Sequence, residues 1–258
     1  MTTYNTMRAR RVEHTRDSNI TFIPSSHTYR LSNAPMRKMV SVTTIIKGAF
    51  APFDADKVIN RMMSSSNWPS SKYFGRTAAD IKREWATTGK EAREEGTYLH
   101  DQIERYINGD EVDCDRMSDD AYIAFEQFLD WDNSRGFTPY RAEWCIYDEE
   151  LGVAGTIDAV MKSAEGEYVI IDWKRSKEIK MTNDFSYSTN PSLSHLQDCN
   201  FVKYSLQLNL YKHLLEKNYG IKISKLLLVC FHPSKETYEE YEALELGKEV
   251  TSLLKHVD

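Results

Sequence analysis

The spacing of apolar residues predicts helices in the first half of the chain and mostly strands in the second. Two extended runs at residues 21–23 and 29–31 flank Pro24-Ser25-Ser26, and this pattern predicts a β-hairpin. A β-branched segment at 40–46 follows and leads to a helix predicted around 55–63. These elements would form N-terminal additions to whatever core the rest of the chain builds.

Two longer segments have helical periodicity. Apolar residues recur at three- and four-residue intervals over 78–107, where Gly89 or Gly96 is expected to break or bend the helix. A second helix is predicted over 119–135, and Gly136 follows as its C-terminal stop. Both helices precede the strand-rich region and can cover it.

The pattern then changes to short strands and one more strong helix. Strands are predicted at 140–147, 153–162, 168–174 and 223–231, with an edge strand at 237–244. An amphipathic helix at 201–219 follows the third strand after a polar loop at 181–198, and a last helix is predicted at 248–256. The order of helix, three strands, helix and strand predicts an α/β domain.

Charge and hydropathy limit the function classes that remain. The chain has 258 residues, with 33 Lys and Arg against 39 Asp and Glu, so its formal net charge is −6. A protein that merely coats nucleic acid is usually basic, so any nucleic-acid contact must come from a local basic face. No stretch approaches the roughly 18–20 apolar residues that span a bilayer, and no membrane partner is expected.

The targeting and cysteine patterns predict an intracellular protein that is not secreted. The N-terminus lacks the apolar core of a secretory signal. Because Glu13 interrupts the run of Arg8, Arg10 and Arg11, we expect a short frayed start rather than an organelle-targeting peptide. The four cysteines form no CxxC pair, so no zinc or redox motif is signalled and reduced thiols are expected.

The segment with the clearest chemistry is Gly155-Thr156-Ile157-Asp158, followed by Asp172-Trp173-Lys174. Residues two apart on a strand face the same side, so Asp172 and Lys174 point together, and Asp158 lies on the neighbouring strand. Two carboxylates suit a hard divalent ion such as Mg²⁺, and the ammonium can stabilise charge on a phosphate. The alternative is a solvated salt bridge without a catalytic role.

Four motifs occur in one order along the chain: Gly96-Thr97-Tyr98-Leu99-His100, Gly155-Thr156-Ile157-Asp158, Asp172-Trp173-Lys174 and Gln207-Leu208-Asn209-Leu210-Tyr211. This series resembles the RecB-like branch of the PD-(D/E)XK nuclease superfamily. It is similar to the mitochondrial genome maintenance exonuclease and to viral and phage exonucleases. The sequence departs from the name motif, because Gly-Thr-Ile-Asp replaces Pro-Asp, a variation that is normal in that branch.

The resemblance implies a restriction-endonuclease-like core, in which helices flank a mixed central sheet, with N-terminal hairpin and helical additions. Residues 1–258 would form a single domain, with 1–75 as an extension and 76–258 as the catalytic core. The implied activity is Mg²⁺-dependent hydrolysis of DNA, with Mn²⁺ able to substitute.

The implied role is that of an exonuclease acting on DNA ends or single strands in replication, recombination or repair, alongside proteins of those processes. The alternatives are a flap-type endonuclease of the same fold and a non-catalytic DNA-binding or assembly module. Stand-alone forms are frequent in viruses and phages, so a viral or phage protein acting in a host cell is also considered.

The resemblance also implies roles for single residues. Asp158 and Asp172 would be metal ligands, together with His100 and the backbone carbonyl of Trp173. Lys174 would be the catalytic lysine. The alternative for His100 is a partly exposed helical histidine without a ligand role.

Three further residues would border this centre. Gln207 and Tyr211 are four apart and share a helical face, and in the family this pair orients the lysine or the DNA. The alternative for Tyr211 is packing in the core. Glu143 precedes Asp158 by one strand, and in some relatives a glutamate there touches the metal, although a surface glutamate is the other interpretation.

Basic and aromatic residues are the candidates for substrate contacts. Lys72 and Arg76 lie in one basic patch, and Arg175 and Lys177 directly follow the motif, where they could neutralise phosphates. The alternative is a solvated charged surface. Trp68, Tyr73 and Phe74 could stack on unpaired bases, or they could lie in the core.

Some members of the branch hold an iron–sulfur cluster through one early cysteine and a late group of three. Only Cys230 lies beyond Cys199 in this chain, so no iron–sulfur cluster is expected.

Overall fold

The structure is a computed structural model that describes residues 14–255. In chain order its elements are β1 (Ile20–Ile23), β2 (Thr28–Leu31), β3 (Val40–Ser41), α1 (Val42–Gly48), α2 (Ala55–Met63), α3 (Ala78–Asn108), α4 (Asp119–Arg135), β4 (Thr138–Asp148), β5 (Val153–Lys162), β6 (Tyr168–Arg175), α5 (Asn200–Tyr219), β7 (Ile223–Phe231), β8 (Glu239–Glu242) and α6 (Gly247–Leu254). Short 3-10 turns connect several of them.

Within the described residues, six strands form one mixed sheet in the order β3-β5-β6-β7-β8, with β4 paired to β5. Strand β6 is antiparallel to β5 and parallel to β7. One core contains apolar residues of α1, α5 and α6, and the other contains those of α3 and α4, so helices cover both faces of the sheet. The predicted α/β class, with a mixed sheet flanked by helices, is confirmed.

The N-terminal additions pack around this core. Strands β1 and β2 form the predicted antiparallel hairpin, which packs beside β4. Helix α2 packs on the first part of α3 through a small cluster that contains Ile59, Tyr73 and Ile81. Helix α1 lies in the main core instead, because Val42, Ile45 and Ile46 are buried there with residues of α5.

Helix α3 differs from its prediction, and helix α1 was not predicted. Helix α3 runs through Gly89 and Gly96 without the expected break. Each glycine costs about 1 kcal/mol in a helix, but this helix also buries Leu99, Ile103 and other apolar residues, which outweighs that cost. The β-branched segment at 40–46 is a strand only at Val40–Ser41. The helix then begins because the Ser41 hydroxyl accepts a hydrogen bond from the Thr44 N–H at 3.1 Å.

The predicted frayed start with Arg8, Arg10 and Arg11, and His256 of the predicted last helix, lie outside the described residues. All four cysteines lie within them, and none is joined in a disulfide. Among the described residues, no helix combines the length and apolar character that crossing a bilayer would need.

The sheet has a gap on one side of β5. That side pairs with β3 at Val153 and Ala154, and with β6 only from Ala159 onward. Beyond Ile171, β6 leaves β5 and continues beside β7. Asp158 on β5 and the following residues of β6 therefore face a gap inside the sheet.

Candidate active site

Asp158 bridges the point where β5 and β6 separate. The last paired residues are Ala159 and Ile171. Immediately beyond them, the backbone N–H of Trp173 donates a hydrogen bond of 2.9 Å to Asp158 Oδ2. The carboxylate thus replaces the next backbone hydrogen bond between β5 and β6, and the two strands separate beyond it.

At the same point, the side chains of β4 and β5 switch from one face of the sheet to the other. Ile157 lies in the core beneath α5, whereas Ala159, two residues on, lies in the core beneath α3 and α4. On the adjacent strand, Trp144 and Ala142 divide in the same way. Residues two apart normally share a face, so both strands carry a local irregularity here.

Glu143 is the residue at which β4 changes sides. Its φ is +43°, in the left-handed region that non-glycine residues rarely adopt. Such a conformation costs on the order of 1 kcal/mol or more and persists only where its surroundings enforce it. It brings the Glu143 carboxylate to the same place as Asp158.

His100 completes this group from α3. Its Nδ1 lies 3.8 Å from Glu143 Oε1 and 3.7 Å from Asp158 Oδ2, and its Nε2 lies 3.1 Å from the Trp173 carbonyl oxygen. With Nε2–H donating to that carbonyl, Nδ1 faces the carboxylates. Burial lowers the pKa of His100, but Asp158 and Glu143 raise it by more, so Nδ1 would have to lose its proton to bind a metal ion. One ligand atom from each of the three side chains lies within 4.8 Å of the others. A histidine whose second nitrogen is fixed by a carbonyl is typical of metal sites, so this donor set fits a divalent ion.

Asp172 and Lys174 lie on the neighbouring part of β6. Asp172 is buried, and its Oδ2 faces the Lys174 ammonium as an ion pair, without a well-aligned hydrogen bond. Its Oδ1 accepts a hydrogen bond of 3.1 Å from Gln207 Nε2, which also lies 3.2 Å from the Tyr211 hydroxyl. Gln207 and Tyr211 therefore fix the orientation of Asp172.

Burial and mutual repulsion set the charges at this centre. Burial raises the pKa of Asp172 to about 6, with Asp158 adding to the rise and Lys174 opposing it. The pKa of Asp158 is also raised, by burial first and by Glu143. Burial lowers the pKa of Lys174, but Asp172 and Asp158 raise it by more, so the lysine stays protonated. Crowded carboxylates of raised pKa would be stabilised by an additional cation.

Comparison with known proteins identifies the family. The model of the PD-(D/E)XK nuclease superfamily matches residues 78–257, well over half of the chain. The chain belongs to the PD-(D/E)XK nuclease superfamily. PD-(D/E)XK nucleases use divalent metals, and His100, Glu143 and Asp158 place their ligand atoms close enough together to hold one.

Two solved structures resemble this PD-(D/E)XK chain weakly. A candidate exonuclease from Eubacterium rectale is 11% identical, with a TM-score of 0.39, and the match covers 87% of this chain and 80% of that chain. The crystal structure of SSO0001 is 13% identical, with a TM-score of 0.33, and the match covers 85% and 74%. No curated protein matches the sequence.

Lys174 has a neighbour that the sequence did not lead us to expect. The ring centroid of Tyr204 lies 4.9 Å from Lys174 Nζ. Tyr204 precedes Gln207 by three residues on α5, so the two side chains share a helical face. The spacing could have predicted this contact, because an aromatic residue one turn before Gln207 on the same helix faces the same strand.

The basic residues predicted to contact DNA lie in different surroundings. The Arg175 side chain is only 6% exposed, and its Nη2 lies 2.5 Å from Glu95 Oε2 and 3.8 Å from Asp120 Oδ2, so it ties α3 and α4 to β6. Lys177 is exposed nearby, in a pocket that Arg175 also lines.

Lys72 and Arg76 flank the Tyr73 ring, and the structure does not link either of them to the centre by a contact. Their charged groups lie 4.7 and 5.7 Å from the ring centroid, and Arg76 pairs with Glu84. Tyr73 is buried and its hydroxyl accepts a hydrogen bond from Trp85, so it belongs to the core. The rings of Trp68 and Phe74 remain at least partly accessible.

Proposed function

We propose that this chain is a Mg²⁺-dependent DNA nuclease of the RecB-like branch. The observation that supports the proposal best is the meeting of His100, Glu143 and Asp158 beside the Asp172–Lys174 pair. A sheet that only supports a fold has no need for three buried or half-buried acids and a histidine at one gap. The order of the four motifs along the chain supports the branch.

The roles of the residues follow from their contacts. His100, Glu143 and Asp158 would hold the ion, with Asp172 and the Trp173 carbonyl as further proposed ligands. That carbonyl oxygen has two lone pairs, so it can accept from His100 and still face the ion. When bound, the ion would lower the pKa of a water molecule and neutralise charge on the phosphate.

Lys174 acts as an electrostatic group in this proposal rather than as a base. Its raised pKa keeps a proton on Nζ at neutral pH. The ammonium can therefore donate hydrogen bonds to the phosphate oxygens as negative charge grows on them. Gln207 keeps Asp172 oriented against this ammonium, and Tyr211 holds Gln207.

We further propose that the enzyme is an exonuclease acting on DNA ends or single strands in replication, recombination or repair. The resemblance of its motifs to such enzymes supports this role. We treat residues 1–258 as one domain, with 1–75 as an extension and 76–258 as the catalytic core. The family match over 78–257 supports that boundary.

The test is hydrolysis of end-labelled DNA with Mg²⁺ by the wild type, Asp172→Ala and Lys174→Ala. Each variant should lose activity by on the order of 100-fold or more, because charge stabilisation in the reaction is removed. The exposed residues Asp130 and Lys248 provide the matched controls Asp130→Ala and Lys248→Ala, and thermal unfolding checks that every variant is folded.

Equal activity in the wild type and both site variants would contradict the assignment. A circular single-stranded substrate then tests the mode of cleavage, because an exonuclease leaves it intact whereas an endonuclease opens it.

A further inference from the structure

A second candidate site, lined by none of the residues of the proposed catalytic centre, lies between α2 and the loop that follows β6. It is a groove of about 860 Å³ whose lining includes Arg61, Met62, Asn67, Trp68 and Phe185. We propose that this groove binds unpaired bases of single-stranded DNA. This inference rests on the proposed nuclease function.

The aromatic residues of the groove come from two separate chain segments. Trp68 is half-buried beside α2, and Phe185 lies at the tip of the opposite loop with 95% of its side chain exposed. An aromatic ring so fully exposed gains nothing from the core of its own chain. Bases have flat apolar faces of matching size, and they stack on such rings irrespective of sequence.

The charge of the groove favours a polyanion. Among the described residues that line it, Arg61 is a cation and none is acidic, although the chain as a whole has a net charge of −6. Asp56, the acidic residue in the first turn of α2, forms an ion pair with Lys82 Nζ at 2.6 Å. Serine hydroxyls and the Asn67 amide supply neutral hydrogen-bonding groups. Stacking faces with a nearby cation are what single-stranded nucleic acid requires.

The loop that bears Phe185 is joined to the catalytic centre through α5. Ser186 accepts a hydrogen bond of 2.8 Å from the Asp198 N–H, and Lys180 accepts one of 3.2 Å from the Phe201 N–H. One turn further along α5, Tyr204 lies over the Lys174 ammonium. Backbone hydrogen bonds therefore link the loop of Phe185 to the start of α5, the helix that carries Tyr204.

The experiment measures binding of a fluorescein-labelled oligothymidylate by anisotropy, in EDTA so that no cleavage occurs. Phe185→Ala and Arg61→Ala should each weaken binding by about 3- to 30-fold, as expected for the loss of one stacking or phosphate contact. Phe185→Trp should retain binding. Because both side chains are exposed, these changes leave the fold intact.

The salt dependence separates the two roles. Arg61→Ala should reduce the slope of log K against log salt concentration by about 0.7, because one phosphate contact to a single strand is lost. Phe185→Ala should leave that slope unchanged. The controls are Phe53→Ala, at an exposed phenylalanine outside the groove, and Lys248→Ala.

Affinity equal to that of the controls would overturn the proposal. So would equal weakening of binding to a blunt duplex of the same length, because a duplex offers no free base faces. Failure of the nuclease assignment looks different: Asp172→Ala and Lys174→Ala would then keep full cleavage activity, whatever the binding data show.

Discussion

At the scale of single residues, the centre is held by side chains that replace backbone pairing. Asp158 accepts the Trp173 N–H where the ladder between β5 and β6 ends, and His100 donates to the carbonyl of the same tryptophan. Both peptide groups of Trp173 are therefore occupied, while its ring packs in the core beneath α3 and α4. Asp172 and Lys174, the proposed catalytic residues, flank that anchored residue in the chain.

Tyr204 is predicted to position Lys174. Replacing it with leucine should lower kcat by about 3- to 30-fold, because a desolvated contact between a cation and a ring contributes roughly 1–2 kcal/mol. Tyr204→Phe keeps the ring and should keep most of the activity. Single-turnover cleavage measures the effect, and the DNA affinity in EDTA should stay unchanged.

Tyr122→Leu, at a half-exposed tyrosine of α4, is the control for a general loss of stability. Equal rates in Tyr204→Phe and Tyr204→Leu would show that the ring does not act on the lysine.

Asp132 is predicted to make stability depend on pH, independently of the catalytic centre. Burial raises its pKa from 3.8 to about 6, so the folded state binds the proton more tightly than the unfolded state does. Burying the ionised Asp132 carboxylate therefore lowers the free energy of unfolding. This loss is absent well below pH 4, where the carboxyl is protonated in both states, and complete above pH 6. At pH 8, Asp132→Asn should increase the free energy of unfolding by about 2 kcal/mol.

Urea denaturation at pH 8 and at pH 4 measures this difference, which should shrink at the lower pH. Asp130→Asn is the matched control, because that neighbouring carboxylate is exposed. A gain in stability that is the same at both pH values would contradict the explanation by proton binding.

At the scale of elements, local periodicity predicted most of the fold, and tertiary contacts decided the rest. The helix at 119–135 and the strand at 223–231 have the bounds expected from the sequence, because their apolar spacing and end residues are unambiguous. The spacing of the motifs also predicted that Asp158 and Lys174 lie close enough to interact, as they do. The change of sides at Glu143 and Asp158 could not be predicted, because alternation along a strand assumes an unbroken ladder.

Gly155 is predicted to be required by the packing of α5 on β5. A Cβ at this position would lie 2.6 Å from Tyr211 Cε1 and 3.2 Å from Val42 Cγ2. Gly155→Ala should therefore lower the free energy of unfolding by about 1–3 kcal/mol, as overpacking does in cores. It should also reduce activity, because a displaced Tyr211 no longer holds Gln207.

Gly96→Ala provides the opposite result on α3, where an added Cβ meets nothing within 4 Å. It should raise the free energy of unfolding by about 0.5–1 kcal/mol, because alanine favours the helix. Chemical denaturation compares the two variants, and equal stability in both would contradict the packing argument.

At the scale of the whole molecule, each layer has a separate task. The sheet opens at its centre to form the site, α3 contributes His100 from one face, and α5 contributes Gln207 and Tyr204 from the other. Helix α2 packs on α3 outside the two main cores and contributes Arg61 to the lining of the groove. Although the chain has a net charge of −6, its described residues place Lys174 at the centre and Arg61 in the groove.

The central claim is that divalent metal held at Asp158 drives hydrolysis of DNA. The most direct measurement is the initial cleavage rate of a labelled oligonucleotide as a function of Mg²⁺ concentration, for the wild type and Asp158→Asn. The wild type should respond with a saturating curve, lose activity in EDTA and regain it with added Mg²⁺. Asp158→Asn should be slower by on the order of 100-fold at every concentration while remaining folded. A wild-type rate that is insensitive to Mg²⁺ and EDTA, or equal rates in the two proteins, would contradict the account.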